Sequence, residues 1–356
     1  MTNPDMIEAT AAITLVISFA LTFYILPIFI RKLEESGDVA RDMYKRFKHE
    51  IPTRGGLAVL FSIYLTVVIV PVFFRILNKI NSDVVVLETL SQTDQAILLV
   101  IMMFALYGMV DDIINVGRPA KVLLPLLFAL PLVVVVTPNS LSLPIYGDVN
   151  FRDGIEFPIL GFINYSRITR YVVMPLYIMV VANLMNMHSG FNGLQSGLSV
   201  IILLSLVIKC VTENAGDAII TAAAIAGSMG AFWCFNKYPA QIFEGNIGAL
   251  AIGAGIGSII VVNGFIVSGF IMLLPHTVNF LLYFYWRIKH ILYPNDRKYK
   301  LCKFGTLLAD GCLDVPNHYT LKWILPKHVK VNEQQATWAM YGITILFCVF
   351  GLFISG

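Results

Sequence analysis

The sequence predicts an all-α membrane protein that crosses the bilayer about ten times. Hydrophobic residues make up 57% of its 356 and charged residues only 13%, against roughly 25% charged in a soluble domain. Mean hydropathy is +0.76. The apolar residues also gather in stretches long enough, or nearly so, to cross about 30 Å of hydrocarbon. The chain reads as one integral membrane catalytic domain over 1–356, with a small cytoplasmic α/β insertion at 293–334 before the last span. The formal net charge of +3 is small, and no nucleic-acid partner is expected.

The spans fall near 9–30, 55–74, 95–110, 121–137, 171–187, 197–213, 217–235, 247–266, 268–292 and 335–355. The first follows neither a basic leader nor a small-residue cleavage site, so it reads as a retained span. Residues 138–170 form a Pro/Gly-containing loop with no evident chemistry. Only Val262-Asn263-Gly264 and Ser268-Gly269 interrupt the run from 247 to 292. Pro275 predicts a bend in the ninth span, because it removes a backbone donor and crowds the preceding turn. In the insertion, Lys303 to Val315 reads as two short strands around an Asp310-Gly311 turn. Cys210, Cys234 and Cys348 lie in apolar runs, and Cys302 and Cys312 lack metal-ligand spacing, so no disulfide or metal framework is expected.

Loop charges orient the chain. The alternate loops 31–54, 111–121, 187–197, 236–246 and 287–334 carry 19 of the 25 Lys and Arg residues, and the opposite loops carry 6. The positive-inside rule puts the first set in the cytoplasm and both termini outside.

Polar residues cluster at the ends of the spans on that same face. Asp111 and Asp112 close the third span, and Lys121 opens the fourth. Adjacent acids at a membrane boundary are costly to desolvate and suggest function. Two carboxylates and an ammonium can hold a divalent metal and the phosphates it carries. Asn183 and Asn186 lie three apart on one helical face and lead into the Gly-rich loop from Met187 to Gln195. Asn236 ends the seventh span, and Gly245-Asn246 opens the eighth. A lone Asn at a helix end is usually a cap, and the six histidines lack metal spacing. Five clusters on one face outweigh those bland readings.

Three ordered motifs make the chain recognisable. They are Asp111-Asp112 through Lys121, Ala182-Asn183 through Asn192-Gly193-Leu194, and Asn236 through Phe243-Glu244-Gly245-Asn246. Through nearly its whole length the sequence resembles the polyprenyl-phosphate N-acetylhexosamine-1-phosphate transferases. Asp42 to Lys45, Ile51-Pro52, Pro294 to Arg297 and Asn317 to Leu321 resemble the eukaryotic and archaeal branch that starts N-linked glycans. The chain length favours an archaeal source.

The resemblance implies transfer of GlcNAc-1-phosphate from UDP-GlcNAc to dolichyl or another polyprenyl phosphate, releasing UMP, at the cytoplasmic face. It implies Mg²⁺, with Mn²⁺ as a substitute, held by Asn186 and Asn246. Asp111, Asp112 and Lys121 take the catalytic roles, with Lys121 on the lipid phosphate. Asp42, Met43, Thr53, Asn183 and Asn192 line the nucleotide-sugar site. Phe243 stacks on uracil, and Arg297 contacts the sugar. Two positions depart from the family: Asn246 stands for its aspartate and Asn295 for an arginine. If Asn246 has left the metal shell, Glu244 is the replacement to expect.

The membrane expected is the plasma membrane for an archaeal source or the endoplasmic reticulum for a eukaryotic one, with a homodimer as an option. The alternatives are an enzyme using another UDP-N-acetylhexosamine and a ten-helix transporter. A transporter would place its ionisable residues near the bilayer midplane, whereas these stand at helix ends.

Overall fold

The computed structural model describes residues 4–45, 49–80, 90–114, 116–117, 120–136, 140–143, 147–150, 153–157 and 161–354. The chain begins with helix α1 (Pro4–Glu35), a hairpin of β1 (Val39–Arg41) and β2 (Glu50–Pro52), then α2 (Gly56–Ile80) and α3 (Gln92–Ile114). Two short helices follow, α4 (Ala120–Phe128) and α5 (Leu130–Val135). Two hairpins come next, β3 (Ser140–Leu143) with β4 (Gly147–Asn150), and β5 (Gly154–Phe157) with β6 (Gly161–Asn164). Helix α6 (Tyr165–Ile168) runs through a π turn into α7 (Met174–Met187), making one apolar segment of 23 residues. Helices α8 (Leu194–Thr212), α9 (Ile219–Asn236), α10 (Gly245–Val262), α11 (Ile266–Met272) and α12 (Leu274–Leu292) complete the bundle's middle. The chain ends with a two-stranded ladder of β7 (Thr306–Leu307) and β8 (Leu313–Asp314), then α13 (Leu321–His328) and α14 (Glu333–Leu352).

Among the described residues, eight helices are long and apolar enough to span a membrane, or nine if α11 and α12 make one bent span. Ten were expected. The difference lies at 121–137, where the run splits into α4 and α5 at Ala129. Pro125 and Pro131 each remove a helix donor there, and among the described residues its apolar part, Leu123–Val135, is shorter than the other spans. The expected bend in the ninth span is present: α11 and α12 meet at 65°, with Pro275 in the first turn of α12. The β7–β8 pair brackets Asp310-Gly311 as the spacing predicted.

Helix α10 is the bundle's centre, and it packs on α3 and α7. A Cβ built at Gly253 would lie 2.7 Å from Ala182 Cα, so only glycine lets these two backbones approach. Lipid tails are as apolar as the helices, so close packing of small residues, not water exclusion, holds such pairs. The α1–α9 pair adds hydroxyl bonds, with Ser18 Oγ donating to the Ala224 carbonyl (2.6 Å) and Thr22 Oγ1 to Ser228 (2.9 Å). A second apolar cluster, including Phe191, Trp286, Leu313, Tyr319 and Trp323, docks the 293–334 segment against α8, α12 and α14.

Candidate functional site

The third helix delivers its two acids to different places. Asp111 Oδ1 accepts the Val116 N–H (2.9 Å), and Oδ2 accepts the Asn246 side-chain amide (3.2 Å). Asp111 therefore ties the end of α3 to the start of α10. Asp112 takes backbone N–H bonds from Asn246 and Ile247, at the amino end of α10 where helix amides attract an anion. Its buried Oδ2 has no hydrogen-bond partner among the described residues.

Asp112 lines a cavity of about 790 Å³. Asp42, Met43, Asn186, Asn192, Phe243 and Asn246 line it too, joined by Asn236, Gln195 and Glu244. Five separate loops and helix ends thus meet at one end of the bundle. The space has the size of a small-molecule site, which spans roughly 300–1,000 Å³.

Several expected residues are placed differently. Asn183 turns its amide back to the Met179 carbonyl (2.8 Å) and does not line the cavity. Its helical face is shared with Asn186, but one turn of rise takes it into the bundle. Thr53 lies beyond β2, bound through its N–H to the Asp38 carbonyl (3.0 Å), and is also off the cavity wall. Arg297 is exposed in a short 3₁₀ turn and off the wall as well. Lys121 sits in the first turn of α4, and its side chain lies outside the described residues.

Asp42 and Asn192 belong to one buried network. Lys45 Nζ lies 3.1 Å from Asp42, 2.9 Å from Glu333 and 3.0 Å from Asn192 Oδ1. The Asn192 N–H donates to Glu333 Oε1 (2.7 Å), and its Oδ1 also accepts the Ala240 N–H (3.0 Å). These bonds hold the Gly-rich loop against the 237–244 loop. The latter is zipped to the chain after β2 through Phe243 N–H to the Pro52 carbonyl (2.8 Å) and Gly55 N–H to the Phe243 carbonyl (2.8 Å).

Sequence reasoning missed the other side of the cavity. Tyr283, Trp286 and Arg287 of α12 line it, with Lys303, Lys322 and Trp323 of the docked segment. Lys45 and Glu333 were missed too. The signal that could have found Lys322 is a lone charge in the otherwise apolar turn Leu321-Lys322-Trp323-Ile324, and Glu333 carries none beyond being an acid at the start of α14. Asn279 Oδ1 accepts the Leu321 N–H (2.9 Å) and so fixes the start of α13 that carries Lys322. Burial pulls the Lys322 pKa down to about 8, with Glu333 opposing and Lys303 reinforcing that shift. Burial likewise lifts the Glu244 carboxyl to about 8. Its Oε2 has no hydrogen-bond partner among the described residues, and its Oε1 faces Gln195 Nε2 at 3.4 Å.

A hard divalent cation takes oxygen donors. Asp112 offers its unpartnered Oδ2, while Asn246 spends its N–H on Asp111 and keeps its carbonyl oxygen out of that bond. With Asn186 on the same wall, these residues fit such an ion. No three Asp, Glu, His or Cys side chains among the described residues gather as a metal cluster, so amide oxygens and ligand phosphates would complete the set.

Residues 95–264 match the model of Glycosyl transferase family 4. The matched stretch is just under half of the chain. It runs from α3 to the end of α10 and carries Asp111, Asp112, Asn186, Asn192, Phe243 and Asn246. A Saccharolobus solfataricus protein is 28% identical over 345 residues, covering 96% of this chain and 95% of that protein. It bears the provisional name UDP-N-acetylglucosamine–dolichyl-phosphate N-acetylglucosaminephosphotransferase. A Methanocaldococcus jannaschii protein provisionally named a glycosyltransferase is 26% identical, covering 88% of this chain and 87% of its own length. Phospho-N-acetylmuramoyl-pentapeptide-transferase of Bacillus subtilis is 26% identical, covering 72% of this chain and 76% of its own. The chain is thus similar, over most of its length, to archaeal and bacterial proteins that bear phospho-sugar transferase or glycosyltransferase names. The matched stretch supplies the acid-and-amide side of the cavity, and the cationic residues of α12 and the docked segment lie beyond it.

Proposed function

We propose that the protein transfers GlcNAc-1-phosphate from UDP-GlcNAc to dolichyl or another polyprenyl phosphate, releasing UMP. The observation that carries this reading is Asp112, a half-buried carboxylate with a buried oxygen that has no partner among the described residues, set with Asn186 and Asn246 in a cavity at the end of apolar helices. A lipid phosphate and a soluble nucleotide can meet there and nowhere deeper in the bundle. The names of the archaeal relatives supply the sugar and the lipid.

An oxygen of the lipid phosphate attacks the sugar-bearing phosphorus of UDP-GlcNAc. A new P–O bond forms, the P–O bond to UMP breaks, and the negative charge leaves on UMP. Such a transfer asks for in-line positioning and charge neutralisation rather than covalent help. A lipid phosphate is largely ionised at neutral pH, so no obligatory base is needed. Asp112, gripped by the first amides of α10, fixes the acidic side of the site, while Met43 and Phe243 offer apolar surface to the base. Lys121 meets the lipid phosphate. Mg²⁺ or Mn²⁺ held by Asp112, Asn186 and Asn246 would neutralise non-bridging phosphate oxygens. Asp42 and Asn192, both engaged by Lys45, shape the wall rather than bind directly. The end-on placement of these groups speaks against a transporter, whose ionisable residues belong near the midplane.

The test is an assay of purified protein with labelled UDP-GlcNAc, a polyprenyl phosphate and Mg²⁺, following UMP and the lipid product. Asp112→Asn is expected to lower turnover at least about ten-fold, a barrier change of roughly 1.4 kcal/mol. Failure of the wild-type protein to release UMP from any UDP-N-acetylhexosamine would sink the reading.

A further inference from the structure

Among the described residues, the enclosed lysines Lys45, half-buried, and Lys209, buried, keep acids beside them. Lys45 has Asp42 and Glu333, and Lys209 has Glu213. Lys322 does not. It is 9% exposed, and no carboxylate among the described residues lies within the 4.0 Å of an ion pair. Its Nζ donates to the Ser189 carbonyl and stands 5.3 Å from the Phe191 ring. An uncompensated buried ammonium is strongly disfavoured, and one carbonyl is a weak answer to a full charge. The backbone is nonetheless shaped to admit it. Gly190 has φ of +106°, and a Cβ there would fall 2.5 Å from Nζ. Arg287 and Lys303 line the same cavity, again with no carboxylate at ion-pair distance among the described residues.

We propose that Lys322, supported by Arg287 and Lys303, is the anion-holding side of the cavity and grips the pyrophosphate of the soluble nucleotide-sugar. This rests on the transfer reading above. It gives the docked segment a binding role that Arg297, exposed and off the cavity wall, does not fill. The source favoured is the nucleotide and not the lipid. Lys322 and Lys303 are carried by the segment between α12 and α14 and not by a span, beside Trp286, Trp323 and Phe191. Charge-assisted bonds from a desolvated ammonium to phosphate oxygens are strong. A dianion arriving beside Lys322 supplies the counter-charge that the protein withholds.

Trp286 and Trp323 line the cavity, so their fluorescence in the full-length detergent-purified protein reports occupancy directly. Inorganic pyrophosphate, UDP-GlcNAc and a short-chain polyprenyl phosphate are titrated separately. In Lys322→Gln, dissociation constants for pyrophosphate and UDP-GlcNAc are expected to rise at least about ten-fold, with polyprenyl phosphate unchanged. Lys303→Gln, at an exposed position that folding does not need, is expected to weaken both about two- to five-fold. Wild-type affinity for UDP-GlcNAc is expected to fall as pH rises through about 8. The other ionisable groups acting on Lys322 are Lys303, Glu333 and His188. Glu244 lines the same cavity and its carboxyl is also lifted to about 8, so the fall is assigned to Lys322 by its loss in Lys322→Gln, and a fall of wild-type size in that variant counts against Lys322.

Unchanged pyrophosphate affinity in Lys322→Gln overturns the proposal, as does a loss confined to polyprenyl phosphate. If that variant does not fold, unaltered affinity in Lys303→Gln together with a flat wild-type pH profile overturns it. Pyrophosphate binding that depends on Lys322 in a protein that releases no UMP leaves this inference standing and removes the transfer reading alone.

Discussion

Asp111 and Asp112 differ by one step of about 100° around a helix, and that rotation divides their work. Asp111 holds the Asn246 amide, while Asp112 faces the cavity. The departure at 246 therefore has a consequence that the sequence did not suggest. An aspartate there would lose the amide donor and set a second carboxylate against Asp111, 3.2 Å away along the present bond. Asn246→Asp is expected to lower the melting temperature without Mg²⁺ and to recover it when Mg²⁺ is added. Asp111→Asn in the same chain should restore the melting temperature without metal. Equal melting of all three in the absence of Mg²⁺ would show that the two side chains are not coupled. Lys322 gives a second residue-scale test. Its pKa is lowered from 10.5 to about 8. Between those values the unfolded chain holds a proton that the folded chain lacks, so stability rises with pH across that window. Melting curves between about pH 8 and 10 should show a rise relative to Lys322→Gln, and parallel curves would remove the buried-lysine assignment.

Among elements, the amino end of α14 does more than anchor the last span. Its first residue, Glu333, accepts from the Asn192 N–H and pairs with Lys45, so two distant segments lean on one carboxylate. Glu333 is 3% exposed, and loss of a buried charged hydrogen bond costs about 1.5–3 kcal/mol. Glu333→Ala should destabilise by about that amount and raise the KM for the nucleotide-sugar more than it lowers kcat, because it loosens a wall without removing a reacting group. Glu333→Gln keeps an acceptor for Asn192 and should be milder in both. An alanine variant with wild-type melting and KM would show that the loop is held by other means.

The whole molecule is ordered by one asymmetry, with the site-bearing helix ends and most cations on one face. Single cysteines at Lys237 and Asn214 bracket α9, and both positions are exposed. In a background lacking exposed Cys302 and half-buried Cys312, a Cys at Lys237 and one at Lys303 should be labelled from the same side. A Cys at Asn214 should be labelled only from the other. Shared labelling of Lys237 and Asn214 would mean that α9 does not span.

Composition and apolar run length determined by themselves that this is a helical membrane protein, because burying backbone in lipid demands internal hydrogen bonds. Asp112, Asn186 and Asn246, which line the cavity, were legible in the sequence as well, since each stands at the end of a run where polarity is costly; Phe243 came from the family resemblance alone. Tertiary structure alone decided which polar residues face one cavity. Asn183 and Asn186 share a helical face, yet a turn of rise and a nearby Met179 carbonyl turn Asn183 away. The run at 121–137 divides into α4 and α5, with Pro125 and Pro131 each removing a helix donor. Lys322 became visible only once aromatic packing brought α13 against the loop after α7. Its local sequence shows only a single charge in an apolar turn, and what singles it out is burial without a counter-charge among the described residues, a property of neighbours distant in the chain.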